Sequence, residues 1–135
     1  MKPTLLPGIS RTETLTIDRP RTIDFMGEDL RIYATPEVLR DIEFTCRNLL
    51  LEHCDPGEDS VGVHADFGHS AATPIGMQVS ITVTVASVEG RRVVLDVVAR
   101  DAIEEIARGR HGRFIVDVAK AKQRLTAKVA KAAAG

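Results

Sequence analysis

Three residues stand out for the chemistry their types and positions allow: Thr35, Glu43 and His69. The segment from Thr35 to Cys54 reads as one helix, with apolar residues at helical spacing at Val38, Leu39, Ile42, Cys46, Leu49 and Leu50. Glu43 falls on the row Leu39, Glu43, Cys46, Leu50, between apolar neighbours. A buried carboxylate is costly unless it is paired or protonated. A carboxylate kept in an apolar stripe therefore points to chemistry or to a specific partner. Thr35 opens the helix, and Gly68-His69-Ser70 follows further along. A hydroxyl, a carboxylate and an imidazole suffice for hydrolysis once a fold brings them together.

Each of these residues also has an ordinary reading. Glu43 has Arg47 one turn later, the favourable order for a helical ion pair. Thr35 precedes Pro36, so it suits the N-cap with proline at the first helical position. An oxygen that accepts from the helix amides is less free to attack, so the two jobs of Thr35 compete. The positive helix N-terminus also suits a developing oxyanion, which leaves nucleophile and oxyanion helper both open for Thr35. His69 sits among Gly68, Ser70, Ala71 and Ala72, small residues that let a ligand approach; an isolated strand histidine is otherwise a satisfied polar residue. His64 and Asp66 share a strand face, but His69 is an odd number of residues from His64 and points the other way, which argues against a metal site. His53 and His111 read as surface residues. Cys46 and Cys54 lie eight apart on the predicted helix, roughly 12 Å of rise, too far for a disulfide. They read as free buried thiols, with a catalytic cysteine as the less favoured alternative.

The elements that must position these residues follow from pattern. Residues 1–10 form a Pro/Gly-punctuated entry, and the Thr-rich run from Thr12 to Asp18 fits a strand. Arg19 to Tyr33 is irregular and charged, with an apolar island at Phe25-Met26. Asp55-Pro56-Gly57-Glu58 stops the helix. From Ser60 to Val118 the chain reads as strands. Val79, Ile81, Val83 and Val85 alternate with Ser80, Thr82 and Thr84, as in a half-buried antiparallel strand. Glu89-Gly90 turns the chain, and Val93 to Ala99 returns as a more fully buried strand. Ala102 to Arg110 and Gly112 to Val118 continue the strand pattern, although the first has some helix propensity. Ala119 to Ala134, rich in Ala and Lys, predicts a short exposed helix that frays. One long helix apolar around most of its girth must be wrapped by the sheet. Such a sheet leaves open edges, so pairing between two copies is expected.

The chain has 135 residues, of which 44% are hydrophobic and 27% charged, which suits a single globular domain spanning 1–135. A net charge of -1 and 4% aromatic residues argue against a nucleic-acid partner. The apolar runs fall far short of the ~20 residues a spanning helix needs, so no membrane partner is expected. No apolar signal core follows Met1-Lys2-Pro3, so a cytoplasmic location is expected.

Four segments together resemble the hotdog-fold acyl-CoA thioesterases, most closely the fluoroacetyl-CoA thioesterase-like branch. They are Tyr33-Ala34-Thr35-Pro36 with Glu43, Asp55 to Gly62, Gly68-His69-Ser70-Ala71-Ala72-Thr73-Pro74-Ile75-Gly76, and Ser87-Val88-Glu89-Gly90-Arg91-Arg92. The resemblance runs from about Tyr33 to Val118. It implies an α+β hotdog fold, a curved antiparallel sheet around one central helix. It implies a catalytic group of Thr35, Glu43 and His69, with Gly62 bordering the acyl pocket and Arg113 matching a family arginine. It also implies active sites between the subunits of a homodimer or tetramer, an acyl-CoA substrate, and no metal or other cofactor. Before the helix the sequence departs from the fluoroacetyl-specific enzymes. They carry several aromatics as a lid there, whereas Ile23 to Leu30 is charged and holds one Phe, which argues against a fluorinated substrate. The expected activity is hydrolysis of a short or small acyl-CoA, with Glu43 and His69 activating water or Thr35. Among Arg108, Arg110, Arg113, Lys120 and Lys122, only Arg113 has a family match; the group reads as a solvated face or as partners for CoA phosphates. The rivals are a non-catalytic acyl-CoA-binding module and a hotdog enoyl-CoA hydratase, whose Asp-x-Asn-Pro-x-His type motif is missing. The acyl chain is not legible in the sequence.

Overall fold

The computed structural model describes residues 1–135. Strand β1 (Ser10–Thr16) is followed by two short strands, β2 (Thr22–Ile23) and β3 (Ile32–Tyr33), which pair with each other. Helix α1 (Thr35–Leu51) comes next, then strands β4 (Glu58–His69), β5 (Gln78–Glu89), β6 (Arg92–Arg100) and β7 (Glu105–Asp117), and finally helix α2 (Val118–Ala134). The main sheet is antiparallel, in the order β1-β5-β6-β7-β4. It packs one face against α1. Val79, Ile81, Val83 and Val85 of β5, Val93, Leu95, Val97 and Ala99 of β6, and Val38, Ile42, Cys46, Leu49 and Leu50 of α1 form the core. The alternation read from sequence in β5 is thus borne out residue by residue, whereas β6, expected to be more fully buried, alternates in the same way, with Asp96 exposed and Val94 and Val98 half-buried on its outer face.

Several boundaries differ from expectation. Thr35 is not the N-cap of α1. Ala34 is, with φ -77° and ψ 137°, and no side chain caps the first turn. The backbone anchors the entry instead: Tyr33 N–H donates to the Thr73 carbonyl at 2.9 Å and Ala34 N–H to the Arg21 carbonyl at 2.9 Å. Helix α1 ends at Leu51, so Cys54 lies beyond it. The amino-terminal segment docks there, with Lys2 N–H donating to the His53 carbonyl at 2.8 Å. Both cysteines are free and buried. Burial pushes the Cys46 thiol up to about 12, which leaves no thiolate for catalysis at neutral pH.

Residues 101–104 form a turn rather than strand, because the Asp101 carboxylate accepts from the amides of Ile103 (2.8 Å) and Glu104 (3.0 Å). From Glu105 the two expected strands are one, β7. Helix α2 is not short: it has 17 residues, none of them buried. Asp117 caps it, accepting from Lys120 N–H at 3.0 Å. No helix is long and apolar enough to cross a membrane.

Candidate active site

Thr35 and His69 meet. Thr35 is the first residue of α1 and His69 the last of β4, and Thr35 Oγ1 lies 2.8 Å from His69 Nδ1. The chain after His69 holds the two residues near each other. Its backbone folds onto β3 through the Tyr33–Thr73 bond and through Ile75 N–H, which donates to the Arg31 carbonyl at 2.9 Å, so it is fixed against the residues that lead into α1. With no capping bond to make, the Thr35 hydroxyl is free to pair with the imidazole. The other ring nitrogen, His69 Nε2, is buried without a hydrogen-bond partner. Burial lowers the pKa of this ring, so it stays neutral and able to accept a proton. For Nδ1 to accept from Thr35, the neutral ring must carry its hydrogen on Nε2. A cavity of about 230 Å³ opens beside the pair, lined by Ile23, Ile32, Tyr33, Ala71 and Ala72 among others.

Glu43 lies elsewhere. It is two turns further along α1, roughly 12 Å of rise from Thr35. It is half-buried, not the buried carboxylate its sequence row suggested. Nor does it pair with Arg47, whose guanidinium makes two bonds to Asp59 instead, at 3.0 and 2.7 Å. Glu43 faces Gly62 of β4: a Cβ on Gly62 would lie 2.5 Å from Glu43 Oε1 and 3.2 Å from His111 Cε1. Glycine is therefore what allows the carboxylate to lie against the strand. Glu43, Phe44, Arg47 and Arg113 line a second cavity of about 100 Å³.

Arg113 and His111 form the floor of that second cluster. The Arg113 guanidinium is buried. It donates to Ser60 Oγ (2.8 Å), the Ser60 carbonyl (2.7 Å) and His111 Nε2 (3.1 Å). Because arginine has no acceptor, His111 Nε2 must accept, and its Nδ1–H donates to the His64 carbonyl at 2.8 Å. Burial and the adjacent Arg113 charge lower the His111 pKa and keep it neutral. The expected surface position of His111 is overturned, since it is 2% exposed. Half-buried His53 is held by Thr4, whose Oγ1 lies 2.7 Å from Nδ1.

A bulge sets which way both clusters face. Gly62 pairs with Arg113 but His64 pairs with Gly112, so Val63 is an extra residue in β4. Gly62 and His69 are seven apart and would face opposite ways in a regular strand. The added residue shifts the phase, and β7 pairs Gly62 with Arg113 and His69 with Ala107, two positions on one face. Gly62 and His69 therefore both look toward α1, roughly 20 Å apart along the strand. One chain thus carries two separate clusters, Thr35–His69 at one end of β4 and Glu43–Gly62–Arg113 toward the other.

Sequence reasoning missed the carboxylate that α1 does bury. Asp41 is 7% exposed, accepts from Tyr33 Oη (2.5 Å), and accepts two bonds from Arg21 (2.9 and 3.2 Å). Asp41 neighbours Ile42 and stands one turn from Thr45, so the buried stripe came close to including it. Of the basic residues expected to form one face, Arg108 pairs with Glu105 (2.5 Å) and Arg110 with Asp96 (2.9 Å). Lys120 and Lys122 lie on α2.

An antiparallel sheet laid over one long helix, with the β5-β6-β7 meander flanked by β1 and by β4, the strand that follows the helix, is the hotdog fold of the thioesterase superfamily. A member of that superfamily from Thermus thermophilus superposes with a TM-score of 0.90 over 100% of both chains at 24% identity, a likeness of fold alone. The sequence profile of the fluoroacetyl-CoA-specific thioesterases matches residues 17–119. The fluoroacetyl-CoA thioesterase of Streptantibioticus cattleyicolor is 35% identical over 101 residues, 75% of this chain and 72% of that one. A variant of a fluoroacetyl-CoA-specific thioesterase, solved with fluoroacetate and CoA, is 30% identical, with a TM-score of 0.78 over 84% of this chain and 97% of that one. The chain belongs to the fluoroacetyl-CoA-specific thioesterase family.

Proposed function

We propose that the protein hydrolyses a short acyl-CoA to the acid and CoA, in a site shared between two copies of the chain. The observation that carries this reading is the Thr35 hydroxyl, uncommitted to capping and 2.8 Å from His69 Nδ1. His69 takes the hydroxyl proton as the Thr35 oxygen attacks the thioester carbon. The C–S bond breaks, and the CoA thiolate, a good leaving group, departs with little acid help. Glu43 then activates the water that cleaves the acyl-threonine ester, giving the free acid. Gly62 borders the acyl group and Arg113 holds the floor beneath it. The cavity beside His69, small and mostly apolar, favours a short acyl chain.

The second copy is required by distance, because Glu43 and the Thr35–His69 pair lie too far apart in one chain to act on one carbonyl. Strand β4 ends the sheet order, and Val61 and Val63 on it are 47% and 49% exposed. Antiparallel pairing of β4 with its own copy, about an axis near Ala65 and Asp66, sets His69 of one chain across from Gly62 of the other. This supports a homodimer in which each copy completes the other's site; the reading takes the whole chain as one hotdog unit and places its work in the cytoplasm.

The test is free-thiol release from a panel of acyl-CoAs, short to long and polar to apolar, including fluoroacetyl-CoA, with Glu43→Gln alongside. Turnover of a short-chain subset, lost in the variant, supports the reading. Binding of CoA esters without turnover of any member would replace it with a binding module. An acyl adduct on Thr35 after rapid quench separates attack by threonine from direct attack by water.

A further inference from the structure

We infer that Tyr33 is a positioning residue for His69, and that Asp41 and Arg21 form the buttress that holds it. This rests on the reading of His69 as the base. The Tyr33 ring meets the His69 ring edge-on, with centroids 6.4 Å apart and planes at 73°. Tyr33 is 1% exposed. Its hydroxyl donates to Asp41 Oδ2 at 2.5 Å, and Arg21 holds both Asp41 oxygens, Nε at 2.9 Å and Nη2 at 3.2 Å. The Asp41 backbone is pinned as well, its carbonyl accepting from Thr45 Oγ1 at 2.8 Å. Burial and the adjacent carboxylate push the phenol well above its ordinary range, so it remains a donor at every working pH.

The state of His69 shows what this network holds in place. Its Nε2 is buried and unpartnered, a condition that costs free energy and that a small rotation of the ring toward water would relieve. Thr35 fixes one ring nitrogen, but a single hydrogen bond between two side chains does not stop the ring from pivoting about it. The Tyr33 edge blocks that pivot. A tyrosine held through its hydroxyl at the far end of the ring is fixed in tilt as well as position. The polar network also exceeds what the core needs, because apolar side chains of similar volume stabilise such a place at least as well as a buried ion pair. No charged side chain lines the cavity at His69; its neighbours there are Ile23, Ile32, Tyr33, Thr35, Ser70, Ala71 and Ala72. Orientation and dryness, rather than a nearby charge, are what Tyr33 supplies.

The experiment compares Tyr33→Phe, Asp41→Leu and Asp41→Asn with the parent protein. Four quantities are read: kcat and KM on the best substrate of the acyl-CoA panel, the His69 titration midpoint followed by NMR without substrate, and the midpoint of thermal unfolding. Tyr33→Phe keeps the ring and loses its anchor. It should lower kcat about tenfold with KM within about twofold, and should move the His69 midpoint up toward the ordinary imidazole value of ~6.5. Asp41→Leu should do the same. Asp41→Asn still offers an acceptor to the Tyr33 hydroxyl and should recover most of kcat and the parent midpoint. A merely structural role would lower the melting temperature of all three and leave the midpoint of the folded fraction where it was. Folded Tyr33→Phe with parental kcat and parental His69 midpoint would overturn the inference. A parent protein inactive on every thioester, whose His69 midpoint still moves in Tyr33→Phe, would remove the hydrolase reading and uphold the clamp.

Discussion

Arg47 stands one turn after Glu43 on α1, yet its guanidinium turns to Asp59 of β4 in a two-bond pair at 3.0 and 2.7 Å. The neighbour that would most readily have neutralised Glu43 is thereby engaged elsewhere, and the carboxylate is left in a small cavity with Phe44 and the buried Arg113. Glu43 has no hydrogen-bonded partner to lose. Glu43→Gln should therefore abolish turnover, by about 10²-fold or more, while the melting temperature stays within about 2 °C of the parent. Steady-state thiol release beside a thermal melt checks both halves.

Thr35→Ala separates chemistry from capping in the same way. An N-cap threonine replaced by alanine costs about 1 kcal/mol of stability. Because Ala34 holds the cap position and Thr35 bonds His69, the substitution should leave unfolding nearly unchanged and lower kcat by about 10²-fold or more. Thr35→Ser, which keeps the hydroxyl, should retain much of the activity. Urea unfolding of Thr35→Ala that shows a full capping loss would contradict the geometry.

Gly62→Ala should act through its neighbours. The new methyl would stand 2.5 Å from Glu43 Oε1 and 3.2 Å from His111 Cε1. His111 is fixed by hydrogen bonds on both ring nitrogens and has no room to give, whereas the carboxylate ends a flexible side chain and will move. The expected result is a stability loss of about 1 kcal/mol with a kcat loss of about tenfold or more. Activity that survives while stability falls would place Glu43 outside the chemistry.

A fourth prediction concerns acid. His111 is buried and neutral, and its folded pKa is lowered by burial and by Arg113. In the unfolded chain the same ring titrates near ~6.5. As pH falls below that value, the unfolded chain takes up a proton that the folded chain refuses, so stability falls with pH. His69 adds to the same slope, its pKa also lowered by burial. Denaturant midpoints from pH 8 to pH 5 should therefore drop in the parent and drop less in His111→Gln.

The shared site makes its own prediction. Thr35→Ala and Glu43→Gln, each inactive alone, should regain activity when unfolded together and refolded as a mixture. Half of the dimers would be mixed, and each of those would hold one intact site, so about a quarter of parental turnover is expected. Activity that stays at the level of the separate variants would show that each chain supplies its own Glu43.

Much of the frame was legible because it follows from short-range pattern. The β5 valines alternate into the core, Pro36 marks the first turn of α1, and the turns after α1 and β5 carry their glycines. The parity of Ala107, His111, Arg113 and Ile115 also puts both His111 and Arg113 on the inner face of β7, a signal that the surface reading of His111 overlooked. The site was less legible because its geometry depends on long-range events. Nothing local to Thr35 shows that Ala34 takes the cap, since that is decided by backbone bonds to Arg21 and Thr73. Periodicity alone could not choose Asp41 over Glu43 as the buried carboxylate, since the choice turns on Arg21 and Tyr33 arriving from another part of the chain. The pairing of Thr35 with His69 was expected from family resemblance, and spacing would not have given it.

The odd residue in β4 makes the site depend on a count as well as on composition. Every side chain from His64 to His69 faces as it does because Val63 has no partner of its own on β7. Pairing Val63 regularly with β7, with no residue lost, would slip the register by one and turn His69 to the outer face, with Thr35, Glu43 and the imidazole all still present in the sequence. Loss of the bulge without loss of a residue, or one further residue inserted between Gly62 and His69, is thus a change by which a descendant of this chain would keep the residues of a hydrolase and lose its reaction.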